Sequence, residues 1–232
     1  MLAVVLRLIS GKTCTSKLAH SGVTSVRITM GGNILQIRFI LLILLCIWVK
    51  PSFSHPHVFI DYIVDLSFDS SGLDKIGITW KFDDMYSTAI MHVYDENKDH
   101  RFDSVETITI IDKMLPDIKK KYHYFSYIEV DRKVFNFESI TDFNAVIQDE
   151  MVVEFSFNIP CPVKTASTTR EVRFTAYDET YYIDFDLNNV NVKEDANAAA
   201  FNYKVKVSGN QNKDYYYGQV TPEEVILTFQ NK

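Results

Sequence analysis

Glycine and proline are scarce, 8 and 6 in a chain of 232 residues, which excludes a collagen-like repeat or a Pro/Gly-rich unfolded chain. Cysteine is scarcer, at three positions: Cys14, Cys46 and Cys161. Residues 1–54 contain no Asp or Glu but six basic residues (Arg7, Lys12, Lys17, Arg27, Arg38 and Lys50), so the remainder holds 18 basic against 30 acidic residues, a charge of −12. An acidic body repels phosphates and anionic lipid surfaces, which disfavours nucleic-acid partners and leaves cations as the better ones. There is no metalloprotease helix motif, Gly-rich phosphate loop or serine-nucleophile elbow, so nothing points to an enzyme. What is present is 47% hydrophobic and 23% charged residues, close to the average for folded proteins, with 16 Phe and 13 Tyr that favour strands over an all-helical bundle.

The longest hydrophobic run, Phe39–Val49, has eleven residues between Arg38 and Lys50-Pro51, too short for the roughly 20 helical residues that cross a bilayer. It reads as the core of a signal peptide. Ser52 and Ser54 then occupy positions −3 and −1 if cleavage falls before His55. Residues 1–54 are therefore expected to be an N-terminal extension and signal peptide, and residues 55–232 a single domain. Met30 alone could begin a signal of ordinary length, which leaves open whether residues 1–29 are translated. Leu45 before Cys46 argues against a lipid anchor, so the chain is expected in the periplasm with no stable membrane insertion after cleavage. Cleavage removes Cys14 and Cys46, so no internal disulfide can form and Cys161 is expected to be a buried small hydrophobe.

From Val58 to Phe68 large apolar residues recur at every second position, and Ile76, Ile78, Trp80 and Phe82 repeat the pattern after the Asp69–Gly72 turn. Period two means strands with one buried face, here a hairpin. The alternation returns in Met151–Ile159, Val172–Ala176, Tyr181–Leu187, Tyr203–Val207 and Val225–Phe229. Met85–Tyr94 and Ser104–Lys120 carry helical spacing, with Pro116 expected to kink or restart the second helix. Asn188–Asn202 reads as a polar loop. The fold expected is mainly β (α+β): an antiparallel β-sandwich with an EF-hand-like helix-loop-helix insertion at about 85–120.

Between those helices, Asp95, Asn97, Asp99, Asp103 and Glu106 place oxygen side chains at loop positions 1, 3, 5, 9 and 12, with the Arg101 carbonyl at position 7. Calcium is a hard cation that takes six to eight oxygens, and this is the twelve-residue spacing that wraps one ion. His100 stands at position 6, where glycine ordinarily supplies a positive φ, so affinity is expected to suffer. The alternative is a solvated acidic turn.

His55-Pro56-His57 would open the mature chain. In an extended chain His55 and His57 project to the same face as Asp61, so two imidazoles, a free α-amine and a carboxylate could converge on Zn²⁺, Ni²⁺, Co²⁺ or Cu²⁺. Pro56 has no amide N–H and excludes a square-planar mode through deprotonated amides. The alternative is a pair of exposed histidines on a frayed terminus.

Several segments together resemble the bacterial proteins classed as domain of unknown function family 1007, labelled periplasmic components of ABC-type transport systems. They are His55–Asp61, Trp80–Asp83 with Tyr86, the Asp95–Glu106 loop, Tyr124–Tyr127 and Tyr177–Tyr182. That resemblance implies a secreted accessory protein found alongside nickel/cobalt-type or zinc-linked membrane permeases. The function expected is thus a periplasmic transition-metal-binding accessory to an inner-membrane nickel/cobalt/zinc-type permease, with zinc, nickel or cobalt at His55, His57 and Asp61. The alternative is a calcium-stabilised extracytoplasmic structural or interaction module.

Overall fold

The computed structural model describes residues 38–39, 56–149, 151–193 and 197–232. Every element below belongs to the compact unit Phe53–Lys232. The apolar run at 39–49, Phe39 excepted, and the proposed cleavage positions Ser52 and Ser54 lie outside the described residues, as does His55. Among the described residues no helix is long and apolar enough to cross a membrane.

Among the described residues, ten strands form two five-stranded sheets. The first has the order β5-β6-β2-β1-β8, built from β1 (Val58–Asp69), β2 (Gly72–Phe82), β5 (Thr141–Ile147), β6 (Val153–Lys164) and β8 (Ile183–Val192). The second, in the order β4-β3-β7-β10-β9, is built from β3 (Ser126–Val130), β4 (Lys133–Phe135), β7 (Arg170–Ala176), β9 (Phe201–Gly209) and β10 (Glu223–Asn231). The sheets face each other through the alternating apolar residues. Tyr62 of β1 meets Phe174 of β7 at 6.4 Å between ring centroids, and Phe68 meets Phe229 of β10 edge-on at 5.3 Å. Trp80, at the middle of the first sheet, packs edge-on against Phe157 at 4.9 Å. Cys161 is wholly buried on β6, and burial pushes its thiol up to about 12, so it is an inert core side chain.

The sandwich is mainly β, as expected, but one pairing departs from an antiparallel arrangement: β8 lies parallel to β1, with Ile60 opposite Phe185. β8 also runs on to Val192, so the first part of the expected loop Asn188–Asn202 is an edge strand. Val190 and Val192 there keep the alternation that the intervening asparagines dilute. β3, β4 and β5 were not expected.

The β1–β2 turn is fixed by Asp69, whose Oδ1 accepts from Ser71 N, Ser71 Oγ and Gly72 N at 2.7–3.0 Å. Gly72 sits at φ 152°, and a Cβ there would lie 2.1 Å from the Val163 carbonyl oxygen of β6, so no other residue fits.

Three helices connect β2 to β3: α1 (Asp84–Tyr94), α2 (Ser104–Lys113) and α3 (Leu115–Tyr122). Asp83 caps α1 through Tyr86 N at 2.8 Å and reaches back to β1 by accepting from Phe59 N at 2.8 Å. Ser87, fully buried, donates to the Phe82 carbonyl and accepts from Val153 N at 2.9 Å, which ties α1 to β6. The expected single helix Ser104–Lys120 is split at Met114, with Pro116 in the first turn of α3, where a missing N–H is harmless.

Candidate cation sites

The loop joining α1 to α2 places its acids unequally. Asp95 ends α1 and is buried; its Oδ2 accepts from His100 N at 3.2 Å. Its Oδ1 is buried with no hydrogen-bond partner among the described residues. A buried carboxylate oxygen with nothing to accept from is an expensive feature that a cation would satisfy. Glu106, at the other end of the loop, is also buried. One of its oxygens accepts from Glu96 N at 2.8 Å and Asn97 N at 3.4 Å, the other from Asp103 N at 3.0 Å. Asp103 in turn accepts from Val105 N and Glu106 N, so the pair forms a reciprocal capping box at the start of α2.

Between these ends, Asn97 Oδ1 accepts from Asp99 N at 2.8 Å, and Asp99 Oδ1 accepts from Arg101 N at 3.0 Å. Lys98 and His100 both take left-handed backbone, at φ 59° and 62°. His100 therefore adopts the conformation for which glycine is usual at loop position 6. Its imidazole Nδ1 lies 3.9 Å from Asp95 Oδ2. The ligand set and the backbone path fit calcium, but the oxygens are not drawn to one point: among the described residues no three His, Cys, Asp or Glu side chains are gathered as a metal cluster.

At the start of β1, His57 is half-buried; its N–H donates to the Tyr182 carbonyl at 2.9 Å and its ring lies 5.0 Å from that of Tyr182. Asp61 is exposed on the outer face of β1, whereas His57 precedes the strand and donates its backbone N–H to the same Tyr182 carbonyl as Val58, so the alternation does not extend to it. Four residues at a strand rise of about 3.3 Å put Asp61 some 13 Å further along, beyond reach of an ion held by His57. It sits instead between Lys81 of β2 and Asp186 of β8. Close by, burial lifts the Asp184 carboxyl above the ordinary carboxylate range, and the Asp186 carboxylate adds to the rise.

Sequence reasoning missed the residue that seats this corner. Asp178, buried, accepts from Thr180 N and Oγ1, Tyr182 N and Ile183 N at 2.9–3.1 Å. It thereby fixes the Tyr182 backbone to which His57 bonds. The signal was in the sequence, since an Asp followed two residues later by Thr is a turn signature.

Among curated proteins the chain is similar to the uncharacterized 15.5 kDa protein in the trpE 3′ region of Spirochaeta aurantia. It is 28% identical over 144 residues, which cover 59% of this chain and 95% of that protein. The profile of the protein family of unknown function DUF1007 matches residues 40–220, which take in β1 to β9 and the inserted helices and end before β10. With most of its length matched, the chain belongs to the DUF1007 family.

Proposed function

We propose that this chain is a divalent-cation-binding protein of the bacterial periplasm whose principal site is a calcium site in the loop Asp95–Glu106. The observation that carries the reading is the buried Oδ1 of Asp95, which no donor meets among the described residues. The left-handed His100 and the two flanking helices support it. Asp95, Asn97, Asp99, the Arg101 carbonyl, Asp103 and Glu106 would hold the ion. Calcium supplies positive charge among four carboxylates and a bond between the ends of α1 and α2. Glu106 would exchange its backbone donors for the ion, which lowers affinity; outside the cytoplasm, dissociation constants of about 10⁻⁴ to 10⁻³ M still suffice.

The test is thermal unfolding with and without millimolar calcium. An ion that binds only the folded state stabilises by about 1.4 kcal/mol at ten times its Kd. Glu106→Gln loses the bidentate carboxylate and turns an amide N–H₂ toward one of the backbone donors that Glu106 now accepts from, so it should melt below the wild type without calcium and show no calcium increment. Equal calcium increments in both proteins would sink the reading.

A second reading has the chain handling zinc, nickel or cobalt for an inner-membrane permease through His55 and His57. It is favoured by the position of His57 immediately before β1, with Asp178 and Tyr182 fixing its backbone. Elemental analysis of protein purified from the periplasm separates the two. Calcium alone supports the first, about one zinc, nickel or cobalt per chain supports the second, and no metal counts against both.

A further inference from the structure

A cavity of about 540 Å³ opens between the ends of β1 and β2, the helices α1 and α3, and the Asp178–Ile183 segment. That volume lies within the range of about 300–1,000 Å³ found for small-molecule sites. Rings dominate its wall: Phe82 and Tyr86 lie 5.4 Å apart, and Tyr122 stacks on Phe125 at 4.8 Å with planes 17° apart. Tyr122 is 39% exposed and Tyr182 49%, so rings also form the rim that an entering molecule meets. Such a surface favours flat ring systems, which can lie face-offset or edge-on to it.

The charges of the lining are not equally engaged. Asp117 is paired with Lys121 at 3.1 Å. Asp178 is buried, and its two oxygens accept from Thr180 N, Thr180 Oγ1, Tyr182 N and Ile183 N at 2.9–3.1 Å, so its charge is met from within the protein. Lys113, the last residue of α2, is exposed and has no ion pair among the described residues. Its surroundings are basic. Residues 113–121 hold four lysines (Lys113, Lys119, Lys120 and Lys121) against the single Asp117, in a chain whose residues 55–232 carry a charge of −12. The mouth of this cavity therefore attracts anions where the body as a whole repels them.

We propose that this cavity binds a small aromatic monocarboxylate, its ring against Tyr86, Tyr94 and Tyr122 and its carboxylate at Lys113. The carboxylate supplies the partner that Lys113 lacks among the described residues. Because Lys113 keeps its contact with water, the pair is worth what exposed ion pairs are worth, a factor of about two to five in affinity; the rings supply the rest. The inference rests on no metal site.

2-Naphthoate and 2-naphthamide are suitable probes, because they share one ring system and nearly one shape and only the first is charged at neutral pH. Titration calorimetry at low ionic strength should show naphthoate binding about two- to fivefold more tightly than naphthamide, with the advantage shrinking in about 0.5 M salt. Lys113→Gln should bring naphthoate to the affinity of naphthamide and leave naphthamide unchanged. Lys119→Gln removes the same charge from α3 outside the lining and should leave the advantage in place; both lysines are exposed, so neither variant endangers folding. Ile118→Glu, which puts a negative charge on the cavity wall, should weaken both probes at least tenfold. The proposal is overturned if neither probe binds at its solubility limit, if the wild type binds the two equally, if Lys113→Gln and Lys119→Gln weaken naphthoate alike, or if Ile118→Glu binds both as the wild type does.

Discussion

Replacing His100 by glycine separates two ways in which an ill-suited residue can weaken a calcium loop. His100 has φ 62°, and the loop's own bonds hold it there: its N–H donates to Asp95 Oδ2, while Asp99 N and Arg101 N on either side donate to Asn97 and Asp99. A left-handed L-residue costs about 1–2 kcal/mol, and the extra freedom of glycine in the unfolded chain offsets about 0.4–1 kcal/mol of the gain from relieving it. The imidazole that the substitution removes is 61% exposed and stands 3.9 Å from Asp95, an arrangement worth close to nothing in water. His100→Gly should therefore stabilise by about 0.5–1 kcal/mol, which for a domain of this size raises the melting temperature by roughly 1–4 °C. Because protein groups alone impose the conformation, the gain belongs to folding and the calcium affinity should change less than about twofold. The sequence-based expectation that His100 lowers affinity thus becomes an expectation that it lowers stability. Scanning calorimetry of both proteins, in chelator and in millimolar calcium, checks this. A variant that melts like the wild type in chelator yet gains a much larger calcium increment would show that the strain arises on binding and would refute the argument.

Ser87→Ala leaves the Val153 amide buried without its acceptor, a loss of about 1–3 kcal/mol; urea unfolding should show it, and a loss below about 0.5 kcal/mol would mean that α1 is held by its apolar packing alone. The Asp184 carboxyl is raised in the folded state, so folding takes up protons there and stability falls as pH rises from the ordinary carboxylate range through the raised value. Asp186→Asn removes one cause of that rise and a like charge opposite Asp61; it should flatten this part of the stability–pH curve and stabilise by about 0.2–0.5 kcal/mol at neutral pH. Identical curves for the two proteins would remove Asp186 from the account.

The parts of the fold that could be read in advance are those encoded locally. β1 and β2 place Ile60, Tyr62, Val64, Ile76, Ile78 and Trp80 at every second position, all buried, and no other structure buries such a set on one face. β3 is five residues long and β4 three, too short for a period to emerge. β5 is interrupted at Asp142, which turns left-handed at φ 53°. The parallel docking of β8 on β1 joins segments more than 120 residues apart, and no local pattern encodes it. The same division governs the sites. The proposed calcium loop is legible because its candidate ligands lie within twelve residues, whereas the reading that joined His57 to Asp61 left out the roughly 13 Å between them along the strand. Asp178 was legible locally, in the turn it forms with Thr180, whereas the cavity around Trp80 is assembled from distant segments whose rings look like ordinary core in the sequence.

The helix α1 ends with Tyr94 in the wall of the cavity and continues directly into Asp95, while Lys113 and Met114 close α2 against the same space. One pair of helices is therefore both the clasp of the loop and a jaw of the cavity. Any occupant that fixes the angle between them at one end changes the shape presented at the other. Thermodynamic reciprocity then sets the terms: if calcium at the proposed loop site alters the affinity of the cavity for an occupant by some factor, that occupant must alter the affinity for calcium by the same factor.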